Sequence, residues 1–216
     1  MDRNPSVRFF DEQFRRQVAA GDHALNPFEA AALPHLHGAV LDYGCGLGNL
    51  AMQAARRGCK VLALDASEAA IDHLLEVAAR EGLPLRAAVA DLRTHSLTEH
   101  FDAVACIGLL MFFDCPTALA QLTHLQAHVR PGGVAIVNVL VEGTTFMDMF
   151  SPDDYCLFKR DQVSDRFAGW QLISCERQEF AAPGGTRKVF ETVVARKPDE
   201  ERPERRVTRN ANPSRP

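Results

Sequence analysis

The sequence predicts an α/β protein built on a Rossmann-like doubly wound sheet, mostly parallel, with a C-terminal antiparallel hairpin strand. Short apolar runs at 39–43, 60–65, 85–91 and 101–107 are separated by stretches of helical periodicity. A glycine-rich turn follows the first run, and Asp65 closes the second. Strands alternating with helices build a parallel sheet covered on both faces. Right-handed crossovers then place a ligand outside the carboxyl ends of the strands.

In chain order, Phe9, Phe10, Phe14 and Val18 recur at helical spacing within 6–20, opposite Arg15 and Arg16. A turn-like stretch at 21–27 leads to a short helical run at 28–36. The helix after the first strand covers 47–57 and stops at Gly58. The run at 60–65 is nearly continuous in apolar residues, as a strand buried on both faces requires. Ser67 caps the next helix, Glu68 sits in its first turn, Ile71, Leu74, Leu75 and Ala78 form its stripe, and Gly82 ends it. Pro116 opens a helix to about 129, and Arg130-Pro131-Gly132-Gly133 turns the chain into a fifth strand at 134–140. A turn-rich aromatic stretch (142–158) and a short helix near 160–167 precede strands at 170–180 and 188–196, joined by a hairpin loop. The organisation expected is a helical lid over 1–37, a ligand-binding domain over 38–197 and a disordered tail over 198–216.

At 216 residues the chain suits one domain with a full core. Its 46% hydrophobic content includes no apolar run long enough to span a bilayer, so no membrane is expected as a partner. A polar N-terminus without a leader pattern points to a cytoplasmic location. A net charge of -4 gives no pull toward nucleic acid. Six cysteines without a C-x-x-C pair read as reduced thiols. Nothing fixes an oligomeric state.

The run Val40-Leu41-Asp42-Tyr43-Gly44-Cys45-Gly46-Leu47-Gly48 carries the most chemistry. Glycines here let a ligand approach the backbone, and an acid ending the next strand accepts hydrogen bonds from ribose hydroxyls. A dinucleotide fingerprint, G-x-G-x-x-G, would place its third glycine at 49, where Asn49 stands. The pattern present is D-x-G-x-G-x-G, which resembles the first motif of the class I S-adenosylmethionine-dependent methyltransferases. An aspartate at the loop entrance repels a pyrophosphate but suits a cofactor with an ammonium and a sulfonium.

The resemblance implies S-adenosylmethionine as cofactor. It places Asp42 and the loop residues Gly44, Cys45, Gly46 and Gly48 at the methionine end, and Asp65 with Ala66 at the ribose. Asp91, the Leu92 backbone, Cys106 and Ile107 fall near the adenine. Taken singly, each acid reads equally as a cap on its loop. Leu109-Leu110-Met111-Phe112 after the fourth strand, Phe158-Lys159 before the late helix, Gly169-Trp170 and the final hairpin resemble the tellurite-resistance methyltransferases. That resemblance implies Phe112, Phe158, Lys159 and Arg187 on the acceptor side. Gln178-Glu179-Phe180 departs from it where basic residues would be expected.

Transfer to a thiolate or a chalcogen oxyanion needs positioning and water exclusion more than a general base. Phe9, Phe10, Phe14, Phe146, Phe150, Tyr155 and Phe158 are the candidates to close the site, or else core. His124 and His128 lie on a helix face opposite the leucines and read as solvated, and no metal site is expected. The cysteines read as small core residues, with a metalloid-binding set as the alternative. The expected function is methylation of a small molecule. The alternatives are an oxygen or nitrogen acceptor, with His23 or Asp114 as base, and a non-catalytic cofactor-binding protein.

Overall fold

The structure, a computed structural model, describes residues 10, 13–17, 24–152 and 154–199. One seven-stranded sheet organises them, in the order β3-β2-β1-β4-β5-β7-β6. The strands are β1 (Ala39–Tyr43), β2 (Lys60–Asp65), β3 (Leu85–Val89), β4 (Phe101–Ile107), β5 (Val129–Leu140), β6 (Gln171–Ala182) and β7 (Thr186–Arg196). β1 to β5 run parallel, while β7 inserts antiparallel between β5 and β6. The winding reverses between β1 and β4, which opens a crevice above their carboxyl ends.

The helices are α1 (Pro27–Ala32), α2 (Asn49–Arg56), α3 (Glu68–Glu81) and α4 (Cys115–Ala127). Each starts where the local chemistry allows. Asn26 and Glu29 form a capping box on α1, Ser67 caps α3 through the Ala70 amide, and Asp114 caps α4 through Thr117. One apolar cluster joins Leu41, Tyr43, Val104, Leu122, Val137 and Phe167, and another joins Val40, Leu50, Ala63, Leu74, Ala103 and Ile136. Neighbouring residues of β1 and β5 thus enter different cores, which explains their unbroken apolar runs.

Several bounds differ from the sequence expectation, each for a local reason. α2 begins at Asn49 because Gly48 caps it in the left-handed region, at φ 73°. β3 stops at Val89, leaving Asp91 on the following loop. β5 begins at Val129, and Arg130-Pro131-Gly132-Gly133 is a bulge within it: pairing shifts from Phe101 opposite Val129 to Ala103 opposite Val134. Residues 160–167 make turns and only a short 3-10 helix, Ser164–Phe167.

The expectation of uniformly reduced thiols is corrected, since Cys115 and Cys156 form a disulfide, while Cys45, Cys59, Cys106 and Cys175 are free. His124 and His128 do not lie on a solvated face. His124 Nε2 accepts from the Leu97 amide at 3.1 Å, and His128 lies 3.0 Å from the Leu97 carbonyl, so both hold the loop before β4. Lys197 closes the domain by donating to the Gln126 and Val129 carbonyls. Of the expected lid, residues 13–17 are helical. Phe9, Val18, His23 and the tail from 200 onward lie outside the described residues. Among the described residues no helix is long and apolar enough to cross a membrane, and no three metal-ligating side chains cluster.

Candidate active site

At the end of β1 the chain bends through Gly44, Gly46 and Gly48, all with positive φ. The Gly44 and Cys45 amides both donate to the Leu64 carbonyl, at 2.8 and 3.1 Å, which lashes the loop to β2. Asp65 completes the lashing. Its Oδ2 accepts from the Gly46 amide at 2.8 Å and its Oδ1 from the Ser67 amide at 2.9 Å, bracketing Ala66. The Phe14 ring covers the loop so closely that a Cβ on Gly46 would meet its Cζ at 3.0 Å.

Behind the loop, Asp42 is 4% exposed and its Oδ2 has no hydrogen-bond partner. Burial pushes its carboxyl up to about 8, and the nearby charges of Glu29 and Asp65 add to the effect. Burial raises Glu29 as well. Burial and the Asp42 charge raise the Cys45 thiol, which keeps it neutral. A buried acid with an orphaned oxygen, beside two further acids, is matched chemically by a cationic group.

The second wall follows β3. Asp91 Oδ1 accepts from the Arg93 amide at 3.1 Å. The Leu92 carbonyl accepts from the buried Tyr43 hydroxyl at 2.7 Å, and Gln121 Nε2 donates to the Arg93 carbonyl at 2.7 Å. Leu92 and Cys106 point into the core, so what they present to a ligand is backbone. Ile107, at the end of β4, is half-buried.

Opposite stands an aromatic wall. After β4 a short 3-10 helix, Leu110–Phe112, carries Phe112. Its ring lies 5.0 Å from that of Phe10 and 5.2 Å from that of Phe150, which stacks on Tyr155 at 5.1 Å. Phe10 stacks in turn on Phe14 at 5.8 Å, so the wall reaches the glycine loop. Lys188 Nζ sits 4.7 Å over the Phe146 ring, and burial lowers its pKa.

The other residues assigned to the acceptor side distribute differently. Phe158 is a core side chain, fully buried with Val163 and Phe167, because its backbone bridges to Val141 and aims the ring inward. Lys159 is exposed and its amide donates to Gln162. Arg187 is exposed, with Nε donating to the Gly143 carbonyl at 2.9 Å. Asp114 is held below the usual carboxylate range by the Thr117 amide and hydroxyl it receives. Lys188, Arg93 and the Cys115–Cys156 bond went unnoticed in the sequence. Strand alternation offered one signal, because Lys188 faces away from its neighbour Arg187.

Residues 40–133 match the family described as methyltransferase domain. Hemagglutinin 1 of Eikenella corrodens is 32% identical over 165 residues, spanning 74% of this chain and 54% of that protein. The ubiquinone biosynthesis O-methyltransferase of Alkalilimnicola ehrlichii is 36% identical over 130 residues, spanning 55% of this chain and 50% of that protein. The chain thus spans about half the length of the curated relatives it matches. Among solved structures, TehB from Haemophilus influenzae superimposes with a TM-score of 0.71 at 19% identity, covering 84% of this chain and 65% of that one, a likeness of fold.

Proposed function

We propose that this chain carries a class I methyltransferase domain and methylates a small molecule bearing a soft nucleophile, a thiol or a chalcogen oxyanion. The observation that carries the cofactor part of this reading is the unpartnered, buried Asp42 oxygen behind the glycine loop, which suits a cation. S-adenosylmethionine, when bound, supplies an electrophilic methyl group on a sulfonium. Asp42, ionised, would hold the ammonium of its methionine end. Asp65, held in place by the Gly46 and Ser67 amides, would accept from the ribose hydroxyls. Asp91 and the Leu92 backbone frame the adenine. The Phe10, Phe14, Phe112 and Phe150 rings exclude water, and Lys188 offers a cation to an anionic acceptor.

A second reading, an oxygen acceptor, is favoured by the O-methyltransferase relative. It requires a base, and Asp114 is committed to capping α4. A cytoplasmic location belongs to the same proposal. The Cys115–Cys156 bond pulls the other way, because cytosolic thiols are held reduced. The deciding experiment measures S-adenosylhomocysteine production against tellurite, selenite, simple thiols and phenols. Turnover confined to the chalcogens and thiols supports the reading, and turnover on phenols alone replaces it with the second.

A further inference from the structure

Arg93 occupies an unusual position between the two walls. Its amide donates to Asp91 Oδ1 at 3.1 Å, so its backbone is fixed to the acid on the adenine side. Its carbonyl is held by Gln121 at 2.7 Å. The guanidinium crosses to the other wall, where it donates to the Phe112 carbonyl at 3.0 Å and pairs with Asp154 Oδ2 at 2.5 Å. It also lies over the Phe113 ring, 5.2 Å from the centroid.

One side chain therefore joins three segments distant in sequence: the loop after β3, the turn after β4 and the aromatic stretch after β5. Both members of the ion pair are less than a third exposed, so solvent screens them less than a surface pair. A planar guanidinium reaches a carbonyl and a carboxylate at once, which an ammonium on a flexible stem does poorly. Beside it the Cys115–Cys156 bond and the Cys156 amide, donating to the Met111 carbonyl at 3.0 Å, fasten the two acceptor-side segments to each other. They do not fasten them to the cofactor side. Arg93 does.

We infer that Arg93 is a positioning residue that transmits cofactor occupancy at Asp91 to the aromatic wall of the acceptor site. The inference rests on the cofactor reading proposed above. A ligand that orders Asp91 orders the Arg93 backbone two residues on, and the guanidinium then fixes Phe112 and Asp154. The wall is assembled when the cofactor is in place and looser without it.

The test uses the full chain with S-adenosylhomocysteine as probe, reading affinity by calorimetry and exchange of the Phe112, Phe113 and Cys156 amides by NMR. In the wild type the probe is expected to slow these amides by about fivefold or more, the lower end of ordinary coupling between sites. Arg93→Met is expected to bind the probe within about threefold of wild type, yet to slow them less than about twofold, with Arg93→Lys in between. Asp154→Asn breaks the same contact from the other side and serves if the Arg93 variants fold poorly. The inference is overturned if these amides slow equally in Arg93→Met and Asp154→Asn. It also falls if they never respond in the wild type. A large loss of affinity in Arg93→Met would make Arg93 a direct cofactor contact instead. Failure of the wild type to bind the probe at all is a separate result, and removes the cofactor reading together with the inference.

Discussion

Replacing Asp42 by asparagine removes a carboxyl group that the ligand-free fold holds at a cost. Its pKa stands at about 8, against 3.8 for the free group, through burial and the charges of Glu29 and Asp65. Between those values the unfolded chain has lost this proton while the native protein keeps it. Each pH unit in that window therefore lowers stability by about 1.4 kcal/mol. Below about 4 both states are protonated, above about 8 both are ionised, and the penalty no longer changes with pH. The full window corresponds to roughly 5–6 kcal/mol as an upper bound. The asparagine amide brings donors of its own into a site with an orphaned oxygen, which takes back about 1–3 kcal/mol. The variant should be more stable than wild type by ~2–4 kcal/mol at pH 8, or about 2–4 °C of melting temperature per kcal/mol. The gain should shrink with falling pH and reverse near pH 4, where only the amide's cost of about 1–3 kcal/mol remains. Urea unfolding of both proteins from pH 4 to 9 measures it. A difference that is flat with pH, or a variant less stable than wild type at pH 8, would refute the burial argument.

The same carboxyl should release a proton when S-adenosylhomocysteine binds at pH 7, because a cation beside Asp42 favours its ionised form. Calorimetry in two buffers of different ionisation enthalpy reads that proton directly. Asp65→Ala should weaken binding of the same ligand by about 1–3 kcal/mol, and unchanged affinity would count against the ribose assignment. Gly48→Ala places a Cβ 2.5 Å from Leu74 Cδ2, whereas Gly58→Ala meets nothing within 4 Å. Both carry the left-handed backbone cost of about 1–2 kcal/mol, and Gly48→Ala should lose roughly 1–3 more to overpacking, as denaturant melts would show. Cys115→Ser should cost about 2–4 kcal/mol of stability while leaving S-adenosylhomocysteine affinity within about threefold.

The glycine-loop half of the candidate site was legible in the sequence because its signals are local. The glycines and Asp65 must stand in one order for the loop to close, and Ser67 and Gly82 mark the ends of α3 by their own chemistry. The acceptor half was less so. Phe112 and Phe150 meet through the packing of segments 38 residues apart, and no periodicity encodes that meeting. Phe158 read as a ligand contact because an aromatic before a lysine looks the same whether it faces a crevice or a core. The short bridge to Val141 decides, and it is invisible in one dimension. His124 and His128 read as solvated because the leucines beside them claimed the core, yet the loop that covers them comes from the opposite end of β4. Arg130-Pro131-Gly132-Gly133 reads as a sharp turn into the fifth strand, yet the ladder already pairs at Val129 and resumes at Val134, which makes the segment a bulge.

The insertion of β7 between β5 and β6 has a consequence for how this chain is made. β5 holds a buried stretch from Val134 to Leu140, and the strand that completes its free side ends at Arg196. On a ribosome adding about 5–20 residues per second, the 56 residues between Leu140 and Arg196 take roughly 3–11 s to emerge. During that interval the nascent chain can assemble the five parallel strands but leaves its most apolar strand open along one edge. An unpaired apolar edge invites association with other chains, and slowing translation between those positions would lengthen the exposure.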